Sequence, residues 1–287
     1  MNGKLLLFLT ALFSISAFGQ TKIILDKESE EPVPYVNISV SDEKIEFNAD
    51  ESGHFTLPKT DQSKTVLFSA VGYDTASLKV SDMQDTIYLE SKPIALNEVV
   101  IGSRKKENSL TIKTKKAKKT WSGSGGGMNG SLLHARYIPF NPEYNTTPYI
   151  DKVRLKVDAQ KKYTFNIRLC SVKPDGSPGD YLYGENILIT VDKKQKYAEV
   201  DFSKIPIKIP EEGLFIVVEY LTIKENRLSL TGDNDSYPAH MYGYGPPILC
   251  EATEAMEGWS YKNGIWIPNP KTANGYAKMV MEITLTD

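Results

Sequence analysis

The sequence predicts an all-β chain built as two sandwiches with a linker between them, and three observations predict it. Short apolar runs with a period of two recur along the chain, broken by Gly, Pro, Asn and Asp, and no stretch carries a helical period. Residues 104–119 hold 8 Lys+Arg against one Glu and run into Ser122-Gly123-Ser124-Gly125-Gly126-Gly127, so composition changes sharply in the middle. At 287 residues the chain is long enough for two cores of ordinary size.

The formal net charge of −2 hides an asymmetry, because residues 20–103 carry 7 Lys against 15 Asp+Glu while residues 120–287 are near balance. This is not the broad basic excess of a nucleic-acid binder. The first 19 residues read as a secretory signal peptide, with Lys4, an apolar run from Leu5 to Phe18 and small residues at Ala17 and Gly19 placing cleavage before Gln20. The alternative is a membrane anchor, but about 14 apolar residues fall short of the ~20 that span a bilayer. Cys170 and Cys250 would then meet an oxidising compartment, either as a disulfide or as two half-buried thiols.

The first domain, residues 20–102, offers seven strands: Lys22–Leu25, Val36–Val40, Lys44–Phe47, Gly53–Leu57, Thr65–Ala70, Ala76–Val80 and Thr86–Leu89. Pro32 and Pro34 precede the second, where a missing N–H costs little. The apolar run Val66-Leu67-Phe68-Ser69-Ala70-Val71 closed by Gly72-Tyr73 is the profile of a buried strand ending in a turn. His54 falls on the polar face of its strand and is expected in solvent, with no second His or Cys at metal-ligand spacing.

Four blocks in order, Pro34-Tyr35-Val36-Asn37-Ile38, Asp50-Glu51-Ser52-Gly53-His54-Phe55, Phe68-Ser69-Ala70-Val71-Gly72-Tyr73 and Leu96-Asn97-Glu98-Val99-Val100-Ile101, resemble the carboxypeptidase regulatory-like domain. Such domains precede the plug of TonB-dependent receptors and occur in other envelope proteins of Gram-negative bacteria. The resemblance implies a transthyretin-like seven-stranded sandwich without catalytic residues of its own. It also implies a periplasmic or outer-membrane-associated or extracellular location. About 185 residues remain, too few for a plug and a receptor barrel, so a transporter is not expected.

Residues 103–130 read as a basic, Gly/Ser-rich linker. Arg104 to Lys119 is either a solvated tether or a contact with an anionic envelope surface. In the second domain, residues 131–287, the strand candidates are Lys152–Val157, Tyr163–Val172, Ile187–Val191, Tyr197–Phe202, Leu214–Thr222 and Tyr276–Leu285. Leu214–Thr222 is almost wholly apolar, as in a central strand buried on both faces. Trp259-Ser260-Tyr261 and Trp266 flank Asn263-Gly264 as a hairpin would. About eight strands without a helix predict a sandwich of jelly-roll type. The runs Phe165–Leu169, Gly179–Leu182, Val200–Phe202 and Gly213–Glu219 are similar to domains that accompany regulatory-like domains in secreted proteins, which implies only the shape of a ligand-binding module.

Three features carry chemistry. Glu219 sits in the apolar run, so it needs an ion pair with a neighbouring-strand Arg154 or Arg168, or else a raised pKa. Asp233-Asn234-Asp235 is an oxygen-rich turn, with His240 nearby, that either holds Ca²⁺ or is a plain Asx turn. Tyr237, Tyr242, Tyr244, Trp259 and Trp266 either pack in the core or present an aromatic platform to a sugar or peptide. No catalytic residues and no cofactor beyond that Ca²⁺ are expected, since no nucleophile motif or phosphate loop is present. The expected function is binding of a glycan or an envelope protein, with no nucleic acid. The alternatives are an accessory subunit of an uptake or secretion complex and a carboxylate-based envelope hydrolase.

Overall fold

The computed structural model describes residues 21–43, 45–92, 106–113, 120–122, 126–127, 132–228, 243–262 and 264–287. The signal peptide expected over residues 1–19 therefore lies outside the described residues. The fold is all-β.

The first domain has the seven strands expected: β1 (Thr21–Asp26), β2 (Asn37–Val40), β3 (Glu46–Asn48), β4 (His54–Thr56), β5 (Thr65–Ser69), β6 (Ala76–Lys79) and β7 (Thr86–Leu89). They form two sheets, β4-β1-β7 and β3-β2-β5-β6, with β1 and β7 parallel and the other pairs antiparallel. Period-two alternation sends Val66 and Phe68 inward from β5 and Ile87 and Leu89 inward from β7. Phe47, Phe55 and Phe68 meet in the middle, Phe55 lying edge-on to Phe68 at 5.8 Å between centroids. Each such fully buried ring contributes roughly 1.5–3 kcal/mol. The turn before β4 is fixed by Asp50, whose Oδ1 accepts from the N–H groups of Ser52 and His54 at 2.8 and 2.9 Å. Gly53 completes it at φ +74°, where a Cβ would stand 2.7 Å from the Ile24 carbonyl oxygen. His54 is exposed, as its strand face predicts.

The second domain begins earlier than its composition suggests. Its strands are β8 (Ser109–Lys113), β9 (Trp121–Ser122), β10 (Gly126–Gly127), β11 (Leu133–Ile138), β12 (Tyr149–Lys156), β13 (Tyr163–Val172), β14 (Pro178–Tyr181) and β15 (Ile187–Val191). They continue as β16 (Tyr197–Asp201), β17 (Leu214–Tyr220), β18 (Gly243–Tyr244), β19 (Leu249–Thr253), β20 (Gly258–Lys262), β21 (Ile265–Pro268), β22 (Tyr276–Met279) and β23 (Met281–Thr286). A large sheet runs β14-β13-β17-β11-β20-β21, with β15 also on β13, and a second runs β16-β12-β23-β8. Two small sheets, β22-β19-β9 and β10-β18, complete the sandwich.

Two expectations need correction. The linker over 103–130 is not all tether: β8 is the edge strand beside β23, Ile112 opposite Ile283 and Leu110 opposite Leu285, and β9 and β10 pair with β19 and β18. Its Lys106 is ion-paired to Asp151 at 2.7 Å, and residues 114–119 of the basic tract lie outside the described residues. The C-terminal strand is two strands. At Val280 the chain leaves β22, which pairs with β19, for β23, which pairs with β12 and β8.

Candidate functional site

All seven residues of β17 are buried, and the reason for the Glu219 face is the first domain. Period two puts Glu219 on the face of β17 opposite to Val218 and Tyr220, and Asn48 at the end of β3 reaches it from the other domain. The Asn48 amide donates to Glu219 Oε1 at 3.3 Å. Its backbone N–H donates to Thr222 Oγ1 at 2.8 Å, while the Thr222 N–H returns a bond to Asn48 Oδ1 at 3.1 Å. Asn48 is thereby stitched to the second domain by three bonds.

Glu219 carries its charge into this junction with its side chain 0% exposed, against 2% for Arg168. The adjacent strand β13 places Asn166 directly opposite Glu219 and Arg168 opposite Val217. The guanidinium donates from Nε to Oε2 at 2.8 Å and from Nη2 to Oε1 at 2.6 Å, and the Asn166 amide adds a bond to Oε2 at 2.9 Å. Burial alone would lower the Arg168 pKa, but the carboxylate and Tyr181 outweigh it and raise it. Of the two partners expected for Glu219, the structure selects Arg168; Arg154 instead pairs with Glu282 at 2.8 Å.

The third arm of the guanidinium reaches back to the first domain. Nη1 donates to the Tyr181 hydroxyl at 2.6 Å, and that hydroxyl is also hydrogen-bonded to Ser69 of β5. Glu46 of β3 accepts from the Asn37 amide at 3.2 Å and from the backbone N–H of Leu132. Burial, reinforced by Glu219, pushes the Glu46 carboxyl up to about 8. At the rim Lys92 pairs with Asp180 at 3.1 Å. The turn that closes β5 also docks here: Gly72 lies at φ +80°, and a Cβ on it would come 3.0 Å from the Gly184 carbonyl oxygen. A side chain at Gly72 would strain the turn and press the domains apart.

Beside this network the two domains leave a cleft of about 880 Å³. One wall is aromatic, with Trp266 of β21 standing opposite Tyr261 of β20, the rings 5.2 Å apart and tilted by 62°. Trp259 and Tyr181 continue that wall, and Asn37, Ser69, Asp74, Lys92, Lys173 and Asp180 supply polar groups. With Asp175, which also lines the cleft, three carboxylates stand against two ammonium groups, so the polar side is mixed in sign.

The residues expected to form an aromatic platform are divided by the fold. Trp259 and Trp266 line the cleft together. Tyr244 does not: it is 0% exposed on β18, paired with β10, and belongs to the core. Tyr237, Tyr242, Asp233, Asp235 and His240 lie outside the described residues, and with them the Ca²⁺ expectation. Among the described residues no cluster of three or more His, Cys, Asp or Glu is arranged for a metal. Cys170 on β13 and Cys250 on β19 are free thiols rather than a bridge. Both are buried rather than half-buried, and burial raises their pKa to about 12 and about 11.

Asn37, Glu46, Asn48, Ser69 and Tyr181 are the site residues that the sequence did not single out. The strands of the first four were legible and that of Tyr181 was not, and nothing local to any of them marks a contact with the other domain.

Comparison with known proteins agrees with the first domain. Residues 23–101 match the family model of the CarboxypepD_reg-like domain, which covers the four motif blocks named above. A search of curated proteins gives no match. Among solved structures the chain is similar to the crystal structure of the cysteine protease and lectin-like domains of Cwp84, a surface layer associated protein of Clostridium difficile. That similarity is 14% identity over 61% of this chain and 37% of that chain, with a TM-score of 0.35. Among the described residues no helix is long and apolar enough to cross a membrane.

Proposed function

We propose that this chain, whose first domain is a carboxypeptidase regulatory-like module, is an exported, non-enzymatic envelope protein that binds a glycan between its two domains. The observation that carries the reading is the composition of the cleft. Trp266, Tyr261 and Trp259 provide an apolar wall, and amide, hydroxyl, ammonium and carboxylate groups face the same space. A sugar ring has the same duality, with C–H faces that stack on aromatic rings and a rim of hydroxyls that donate and accept. About 880 Å³ lies in the upper part of the range for small-ligand sites, enough for a short oligosaccharide. Mixed charge at the rim favours a neutral glycan over a strongly anionic one.

This moves the binding surface from the Tyr237–Tyr244 loop to the junction, and gives the regulatory-like domain one wall of the site. The test is calorimetric titration of the full chain with neutral oligosaccharides from bacterial envelope and extracellular polysaccharides. Saturable binding that falls at least tenfold in Trp266→Ala, with an unchanged melting temperature, supports the reading. Binding unaffected by Trp266→Ala removes the cleft as the site, and release of new reducing ends during incubation overturns the non-enzymatic part. Capture of a defined envelope protein with no sugar binding would favour the accessory-subunit alternative.

A further inference from the structure

We infer that a single proton, held on Glu46 where the two domains meet, sets how tightly they dock and so how the cleft between them is shaped.

The geometry supplies the reason. Two carboxylates from different domains face the same junction, Glu46 from β3 and Glu219 from β17, and the one buried guanidinium there is committed to Glu219 through Nε and Nη2. Glu46 is left with neutral donors, the Asn37 amide from β2 at 3.2 Å and the Leu132 N–H ahead of β11. The other groups facing it are Glu219 from β17, which repels its charge, and Lys262 and Tyr261 from β20. Lys262 is the cation among them, and it is solvent-exposed and screened. An ionised Glu46 in the docked state thus faces a second carboxylate without a buried counter-charge. A protonated Glu46 keeps its two hydrogen bonds and removes the repulsion.

The direction of the pH dependence follows. When the domains part, Glu46 meets water and titrates near the ordinary glutamate value of about 4.3; docked, it titrates at about 8. Docking is strongest below about pH 4.3, where both states hold the proton. It weakens by up to tenfold per pH unit between there and about 8, and is flat above, where neither state holds it. Neutral pH lies on the slope, so a modest change in the surroundings of an exported protein shifts the docking equilibrium. The consequence for ligand capture rests on the binding role of the cleft; the docking equilibrium does not.

The experiment is amide hydrogen exchange of the ligand-free full chain between pH 5.5 and 8.5, corrected for the intrinsic exchange rate. The amides of Asn48 and Thr222 report on docking directly, because each donates across the junction. Their protection is expected to fall at least tenfold over that range in the parent chain and to be independent of pH in Glu46→Gln. Constant protection in the parent, or the same slope in Glu46→Gln, overturns the inference. Should Glu46→Gln fail to fold, the carboxyl carbon resonance of Glu46 in the parent chain decides: a midpoint above about 6.5 supports the proton, and one near 4.3 excludes it. A cleft that binds no sugar while these amides still titrate would refute the binding role alone.

Discussion

Replacing Arg168 with Met should destabilise the second domain by about 3–5 kcal/mol, the usual cost of breaking a buried ion pair by removing one partner. The structure says where the cost arises. Glu219 loses bonds of 2.8 and 2.6 Å and keeps only the Asn166 and Asn48 amides, and the Tyr181 hydroxyl loses its guanidinium donor at 2.6 Å. By contrast, Lys271→Ala, which breaks an ion pair whose side chains are 53% and 88% exposed, should cost no more than about 0.5 kcal/mol. Urea unfolding followed by tryptophan fluorescence reads the second domain selectively, because Trp121, Trp259 and Trp266 all lie beyond the first. For a slope of about 2–3 kcal/mol per molar, the midpoint should drop by about 1–2.5 M in Arg168→Met. The double variant Arg168→Met with Glu219→Gln should recover a large part of the loss, since no charge is left stranded. A midpoint shift below about 0.3 M, or single losses that simply add in the double variant, would refute the account of Glu219 and Arg168 as one unit.

Three further outcomes are expected. Asn48→Ala should weaken docking by about 1–3 kcal/mol through its lost side-chain bonds, lowering exchange protection at the Thr222 amide while Phe68 in the first core is unaffected. Gly53→Ala should destabilise the first domain by about 1–3 kcal/mol, because both φ +74° and the 2.7 Å approach to a backbone oxygen resist a methyl group; unchanged exchange at Val66 and Phe68 would contradict this. Cys170 and Cys250 should resist a thiol reagent at pH 8 in the native chain, with pKa values near 12 and 11 leaving roughly one thiolate in a thousand or fewer, and both should react in denaturant; no reactive thiol after unfolding would mean a bridge.

The first domain was legible because several of its strands are buried on one face only, and the fully buried β2 still reads as a short β-branched run. Alternation in Thr65–Ser69 or Thr86–Leu89 marks both the element and its inward side. Ile187–Val191 was legible to the residue for the same reason, and Tyr163–Val172 through the alternation of Tyr163, Phe165, Ile167 and Leu169, although most of that strand is buried on both faces. Edge strand β8 was not, since Leu110 and Ile112 are its only apolar anchors in a lysine-rich tract and both remain partly exposed. β11 was hidden by the polar His134 and Arg136, which read as loop until Arg136 is seen donating to the Met279 carbonyl at 2.8 Å. At the site, the burial of Glu219 and its need for an arginine could be argued from β17 alone. The contribution of Asn48 and Glu46 could not, because both act across the junction on Glu219, more than 170 residues further along the chain.

The pairing of β8 and β12 with β23 fixes an order of events. β23, Met281–Thr286, lies between two strands that precede it by more than 120 residues, so neither can complete its hydrogen-bonding until the last segment of the described chain arrives. A chain delivered from its N-terminus can close the first sandwich early, since β1 and β7 are separated by fewer than seventy residues. The second must wait with open strand edges, which are templates for mispairing. The Lys-rich flanks of β8 keep that waiting edge charged and so discourage it from pairing with a neighbour before β23 arrives.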